Sequence, residues 1–282
     1  MTFRKNARLN PGQVRDLRGG GGVALGGGIG GVILLVAVML LGGDPSQIPS
    51  ELLNGTTVGT GQENDLTEEC RTGADANERQ DCRIVGYVNS IQEYWEGVVD
   101  GYQPAPTTFF TGGVNTQCGN ASSAVGPFYC PNDQTIYIDL SFFDQLESQL
   151  GAEDGPLAQA YVIAHEYGHH VQNLTGVLGG GGGGTGAESR AVRVELQADC
   201  YAGVWMANAV ETGYLVPITR EQIANAMETA RAIGDDRIQQ QQQGQINPDA
   251  WTHGSSAQRQ EWLNTGLTSG NPNDCNTFDA DL

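Results

Sequence analysis

The sequence predicts an α+β fold, mainly helical with one small β-sheet, preceded by a single transmembrane helix. Several stretches repeat apolar residues at helical spacing, one stretch alternates and is rich in β-formers, and one uncharged apolar run lies near the amino terminus. The 282 residues, 39% of them hydrophobic, suffice for one substantial domain with appendages.

Residues 1–22 carry Arg4, Lys5, Arg8, Arg15 and Arg18 against Asp16 alone, and read as a basic cytoplasmic tail. Val23 to Leu41 holds no charge, and about 19 helical residues span a hydrocarbon core of roughly 30 Å. No A-x-A cleavage site follows Leu41, where the chain reads Gly42-Gly-Asp-Pro-Ser, so 23–41 is expected to be a retained anchor in the lipid membrane. The basic residues before it orient the chain as single-pass, with its amino terminus in the cytoplasm and the remainder outside. Residues 42–65 are a polar linker and 66–282 the folded domain.

That remainder is strongly acidic. The whole chain has 14 basic and 33 acidic residues and a net charge of −19. Such a body repels phosphate backbones, which excludes nucleic-acid binding. The 41 glycines fall in clusters without a triplet period, which excludes a collagen-like fibre.

Within the domain, apolar residues at 84, 88, 91, 95 and 98 predict a helix. Thr135 to Leu140 alternates and predicts a strand, with Tyr137 and Asp139 free to face either way. Ser141 to Leu150 follows as a helix with Ser141 near its start, and another runs from about 157 to 174. Gly179 to Gly184 is a loop without the Lys-Ser/Thr ending of a phosphate loop. Helices are expected at about 187–212, 219–233 and 256–266, the second with Thr219 and Gln222 as a capping box. Gln239 to Gln243 reads as a polar surface loop.

Cys70, Cys82, Cys118, Cys130, Cys200 and Cys275 suit an exported domain with three disulfides. Two pairs share one separation, so Cys70–Cys82 and Cys118–Cys130 are the economical pairing, leaving Cys200–Cys275. A cysteine zinc site is disfavoured because no C-x-x-C occurs.

The chemistry lies in His165-Glu166-Tyr167-Gly168-His169. Four residues advance a helix by about 400°, so the two histidines share one face and can hold one Zn²⁺. Glu166 can then reach a water bound to that metal and act as general base. His170 points about 100° away and reads as packing or as support for the site. A catalytic zinc needs a third protein ligand. No H-x-x-G-x-x-H extension supplies it, since Gln172 and Thr175 stand in those places. Glu195 and Asp199 share a face of the next helix among Val194, Leu196, Ala198, Ala202, Val204 and Trp205. Buried acids need partners. Glu195 can ligate, while Asp199 accepts the free ring N–H of a ligand histidine. Two solvated polar faces without a metal are the bland alternative.

With these residues in place the sequence resembles the bacterial YpfJ-like neutral zinc metallopeptidases, of the gluzincin type. The shared blocks are Val14-Arg-Asp-Leu-Arg18, Cys118 through Pro131, Ile136 through Phe143, Ala160 through Gln172, Glu195 through Trp205, Thr252 through Arg259 and Cys275-Asn-Thr-Phe. The resemblance implies a zincin-like metallopeptidase domain with Zn²⁺ as cofactor and a peptide or protein as substrate. It matches His165, His169 and Glu195 as ligands and Glu166 as catalytic base. The hexaglycine and glutamine runs depart from the pattern in surface loops.

Two further readings complete the expectation. His253, with Arg259 behind it, is the candidate donor to a developing oxyanion, or else only fixes the start of the last helix. Strand 135–140 resembles the edge strand on which zincins lay extended substrates. The expected protein is thus a membrane-anchored metallopeptidase hydrolysing peptide bonds by a zinc-activated water. The rival is a non-catalytic, zinc-stabilised scaffold or binding domain of the cell envelope. A Ca²⁺ adhesin would need a D-x-[DN]-x-[DN]-G loop that is absent.

Overall fold

The helical stripe at Ile84, Val88, Ile91 and Trp95 is fully buried, while Val98 at its end is exposed. It belongs to a helix running from Gln80 to Val98. The computed structural model describes residues 2–18, 64–150, 155–181 and 183–282, so the expected anchor over 23–41 and most of the linker lie outside the described residues. Among the described residues no helix is long and apolar enough to cross a membrane.

Eight helices appear among the described residues. They are α1 (Gly73–Glu78), α2 (Gln80–Val98), α3 (Ser141–Leu150), α4 (Pro156–Leu174), α5 (Arg190–Asn208), α6 (Arg220–Ala232), α7 (Asp235–Gln243) and α8 (Ser256–Ser269). The expected helices match α2 to α6 and α8 within a few residues, and the Thr219/Gln222 capping box is present. The glutamine run departs from expectation, because Gln239–Gln243 is the second half of α7 rather than a loop. Asp235 and Asp236 favour the start of that helix through its dipole, and Gly244, at φ 71°, ends it in the left-handed conformation.

Helix α5 packs on both α4 and α8, α2 and α6 also pack on α4, and α6 packs on α8 as well. The approach is close because of particular glycines. A methyl group on Gly168 of α4 would stand 3.0 Å from the Ala198 Cα of α5, and one on Gly266 of α8 would stand 1.9 Å from the Cys200 carbonyl oxygen.

Six strands form the rest: β1 (Val14–Asp16), β2 (Thr107–Phe110), β3 (Gly113–Thr116), β4 (Gly119–Ser122), β5 (Phe128–Cys130) and β6 (Thr135–Asp139). The main sheet has the order β1-β2-β6-β5, parallel except for β5, and β3 and β4 form a separate hairpin. The predicted strand is therefore β6, and it is interior. The edge strands are β1 and β5, and β5 packs on α4. Alternation sorts the faces of β6. Ile136 and Ile138 enter the helical core, whereas Tyr137 stacks on Phe128 with ring centroids 5.1 Å apart. Asp139 accepts from the Gly112 and Ser141 N–H groups, a structural task that uses up its carboxylate.

The three disulfides are Cys70–Cys82, Cys118–Cys130 and Cys200–Cys275. The amino terminus differs from the expected detached tail. Phe3 is fully buried, Val14–Asp16 pairs in register with Thr107–Phe109, and Arg4 N–H donates to the Tyr214 carbonyl at 2.9 Å. The folded body thus comprises residues 2–18 together with the described residues from 64 onward. Parallel pairing across about ninety residues leaves no mark on local periodicity, which is why a basic composition alone suggested a tail.

Candidate zinc site

Helix α4 begins with Pro156 at its first turn and presents His165 and His169 one turn apart toward α5. Their Nε2 atoms are 3.1 Å apart, and Glu195 Oε2 lies 3.1 Å from the first and 3.6 Å from the second. Ligands at about 2.0–2.1 Å in a tetrahedron around Zn²⁺ would stand about 3.3 Å from one another. These three atoms fit one zinc ion.

The remaining ring atoms decide which nitrogens face inward. His165 Nδ1 lies 2.8 Å from Asp199 Oδ1, a carboxylate that can only accept. His169 Nδ1 lies 2.8 Å from Gln172 Oε1, and Gln172 is oriented by its own amide donating to the Val194 carbonyl at 2.7 Å. Both rings can therefore keep a proton on Nδ1 and, as neutral imidazoles, offer the Nε2 lone pair to the same point. Sequence reasoning saw the Asp199 contact. It missed Gln172, which stood where an extended motif would place glycine. It also missed Gln197, which receives the Gln172 amide at 3.0 Å and donates to the Cys275 carbonyl.

Asp199 is fully buried, and its charge is matched. Tyr161 donates to it at 2.6 Å, and the Arg259 guanidinium grips both oxygens at 2.8 and 2.9 Å. Burial raises the carboxyl pKa, but Arg259 and His165 outweigh it and hold the group below its ordinary value. Arg259 was expected behind His253; the structure gives it to Asp199 instead.

The pocket favours positive charge. Burial disfavours protonation of His165, yet the facing Asp199 and Glu195 raise its pKa to about 10. Burial likewise opposes ionisation of Glu195, and the charges of His169 and His253 drive its pKa well below the ordinary range. A buried cluster of two imidazoles and a carboxylate with this field suits a divalent cation.

Glu166 is buried, and its Oε2 has no hydrogen-bond partner. A buried orphan acceptor is costly unless a bound group meets it. Burial raises its pKa, which suits a general base, and the Tyr129 N–H of β5 faces the carboxylate. Its neighbour His170 points away as expected. Nε2 donates to the Gln103 carbonyl at 2.6 Å and Nδ1 accepts from the Tyr129 hydroxyl at 3.0 Å, tying the helix to β5.

His253 joins the site through a loop that sequence reasoning could not place. Asp235, at the start of α7, accepts the N–H groups of Thr252, His253 and Gly254 at 2.8, 2.7 and 3.1 Å on one oxygen. Its other oxygen lies 3.5 Å from His253 Nδ1. The imidazole held this way acts electrostatically on Glu195. No motif pointed to Asp235; its only signal was an acid at a helix start.

Comparison with known proteins agrees with this geometry. A family described as putative neutral zinc metallopeptidase matches residues 5–278. The chain is 51% identical over 250 residues to the uncharacterized protein Rv2575 of Mycobacterium tuberculosis, covering 86% of this chain and 85% of the relative. It is 41% identical over 271 residues to the uncharacterized protein YpfJ of Escherichia coli K12, covering 92% and 90%. No solved structure matches. The match spans the amino-terminal segment and the ligand helices alike, and the chain belongs to the neutral zinc metallopeptidase family, whose cofactor is Zn²⁺.

Proposed function

We propose that this protein is a zinc-dependent peptidase in which His165, His169 and Glu195 hold the metal and Glu166 is the general base. The observation that carries the reading is the buried, unpartnered Oε2 of Glu166, whose carboxylate feels the charges of both ligand histidines. A site that only stabilises a scaffold has no use for such a group. Zinc in this site would supply Lewis-acid polarisation of the scissile carbonyl and of the attacking water.

The chain's own residues do the rest. Strand β5 is an edge strand whose Tyr129 N–H faces Glu166, and an extended peptide can add to it as a further strand. Glu166 takes a proton from the attacking water at Oε2 and later delivers it to the leaving amine. His253, held by Asp235, donates to the oxyanion as it forms. Asp199 and Gln172 keep the two imidazoles in one tautomer throughout. Three disulfides suit an oxidising compartment, so the domain is proposed to work outside the cytoplasm.

The test uses the full chain, because residues 2–18 belong to the fold. Wild type, Glu195→Ala and Glu166→Gln are compared for zinc content and casein hydrolysis. One zinc in wild type and in Glu166→Gln, lost in Glu195→Ala, with chelator-sensitive cleavage only in wild type, is the expected result. Zinc retained in Glu166→Gln with cleavage undiminished would overturn the assignment of the base. Zinc present with no cleavage of any protein supplied would favour the scaffold.

A further inference from the structure

We infer that residues 2–18 and the zinc site lie on the same side of the membrane, rather than on opposite sides as the charge pattern suggests. The inference stands whether or not the site cleaves peptides.

The amino terminus is docked by the side chains of two buried or half-buried asparagines. Asn77 Oδ1 accepts the Thr2 and Phe3 N–H groups at 2.8 and 3.0 Å, and its amide donates to the Phe3 carbonyl at 2.9 Å. Asn89 does the same for Asn10, accepting at 2.8 Å and donating at 3.0 Å. Two glycines make room. A methyl group on Gly86 would meet the Phe3 ring at 2.5 Å, and one on Gly73 would meet the Arg4 carbonyl oxygen at 2.1 Å. Phe3 fills that space and packs on Tyr87, whose hydroxyl donates to the carbonyl of Pro156 at the start of the zinc helix. Residues 2–4 pair with 214–216 on one side, and β1 pairs with β2 on the other. A tail across a lipid bilayer could make none of these contacts.

The basic residues that implied a cytoplasmic end also have work in the fold. Arg4 Nε donates to the Leu215 carbonyl at 3.0 Å. Arg18 pairs with Asp16 at 2.7 Å and with Asp81 of α2 at 3.1 Å.

Topology then follows by parity. The chain leaves the body at Arg18 and is back beside it at Asn64, whose N–H donates to the Asp16 carbonyl at 2.8 Å. A path that begins and ends on one body crosses a membrane an even number of times.

The experiment labels the full chain in intact bacterial cells with a membrane-impermeant maleimide. One variant carries Lys5→Cys and another Gln242→Cys, both exposed positions, and all six native cysteines are in disulfides. The two variants are expected to label in the same fraction, either both in intact cells or both only after permeabilisation. Labelling of one in intact cells and of the other only after permeabilisation would overturn the inference. Asn6→Cys repeats the measurement one residue on, in case Lys5→Cys perturbs the protein. A second arm measures thermal unfolding of full-length Phe3→Ala. Docking predicts a Tm lowered by roughly 6 °C or more, and an unchanged Tm would mean that the segment is not part of the body.

Discussion

Asp199 Oδ1 lies 2.8 Å from His165 Nδ1, so the acid one helical turn after the glutamate ligand fixes the imidazole on the facing helix. The same carboxylate is the partner of buried Arg259. One residue thereby joins α4, α5 and α8 at the metal. Asp199→Asn is expected to weaken zinc binding by about 10–100-fold, read by competition with a chelator. It also leaves the Arg259 charge unpaired, at a cost of about 3–5 kcal/mol in stability. Adding Arg259→Met should restore much of the stability and none of the zinc affinity, which separates the two roles.

Gly168 lies inside the zinc motif but serves the packing of α4 on α5. Gly168→Ala puts a methyl 3.0–3.2 Å from Cα, carbonyl and Cβ atoms of Ala198, which cannot swing aside as a long side chain would. The helices must part by a few tenths of an ångström. We expect a loss of about 1–3 kcal/mol in denaturant unfolding, with weaker zinc binding because Glu195 recedes from the histidines. Unchanged zinc affinity would show that the site tolerates the shift.

His253 and Asp235 should behave as a unit. His253→Ala is expected to lower kcat by about 10²–10³ with zinc content unchanged and KM little affected. Asp235→Asn keeps an acceptor for the three N–H groups but loses the charge opposite the imidazole. It should lower kcat by a smaller factor, and the double variant should fall short of the product of the two. Multiplicative losses in the double variant would assign them independent roles.

The salt bridge that clasps the amino terminus gives stability a pH dependence. Burial raises the Asp81 pKa, but Arg79 and Arg18 outweigh it and hold the carboxyl below its ordinary value. A carboxylate with a depressed folded pKa contributes fully above its unfolded pKa of about 3.9 and loses that contribution as pH falls through the folded value. Asp81→Asn should therefore cost about 1–2 kcal/mol at neutral pH. The gap from wild type should close below about pH 4, as measured by urea unfolding across the range. A gap that persisted at low pH would assign the loss to packing rather than charge.

Much of the zinc site is written in short-range pattern. A helical turn places His165 over His169, the same turn places Glu195 with Asp199, and apolar neighbours mark both helices as buried. Likewise Thr219 and Gln222 announce a helix start within four residues, and two equal cysteine spacings suggest their own pairing. What tertiary structure alone decided is long-range and polar. β5 rather than β6 is the edge strand beside Glu166, because sheet order depends on partners that arrive from Val14 and Thr107. Asp235 reaches His253 across 18 residues, and Gln172 reaches the Val194 carbonyl across 22. Periodicity reports which face of an element is apolar, since that is a property of neighbours along the chain. A hydrogen bond between distant segments requires only one suitable atom at each end, and it leaves no repeat to read. The docked amino terminus shows the consequence: its five basic residues determined a charge pattern, and the helices that receive Phe3 determined where that charge resides.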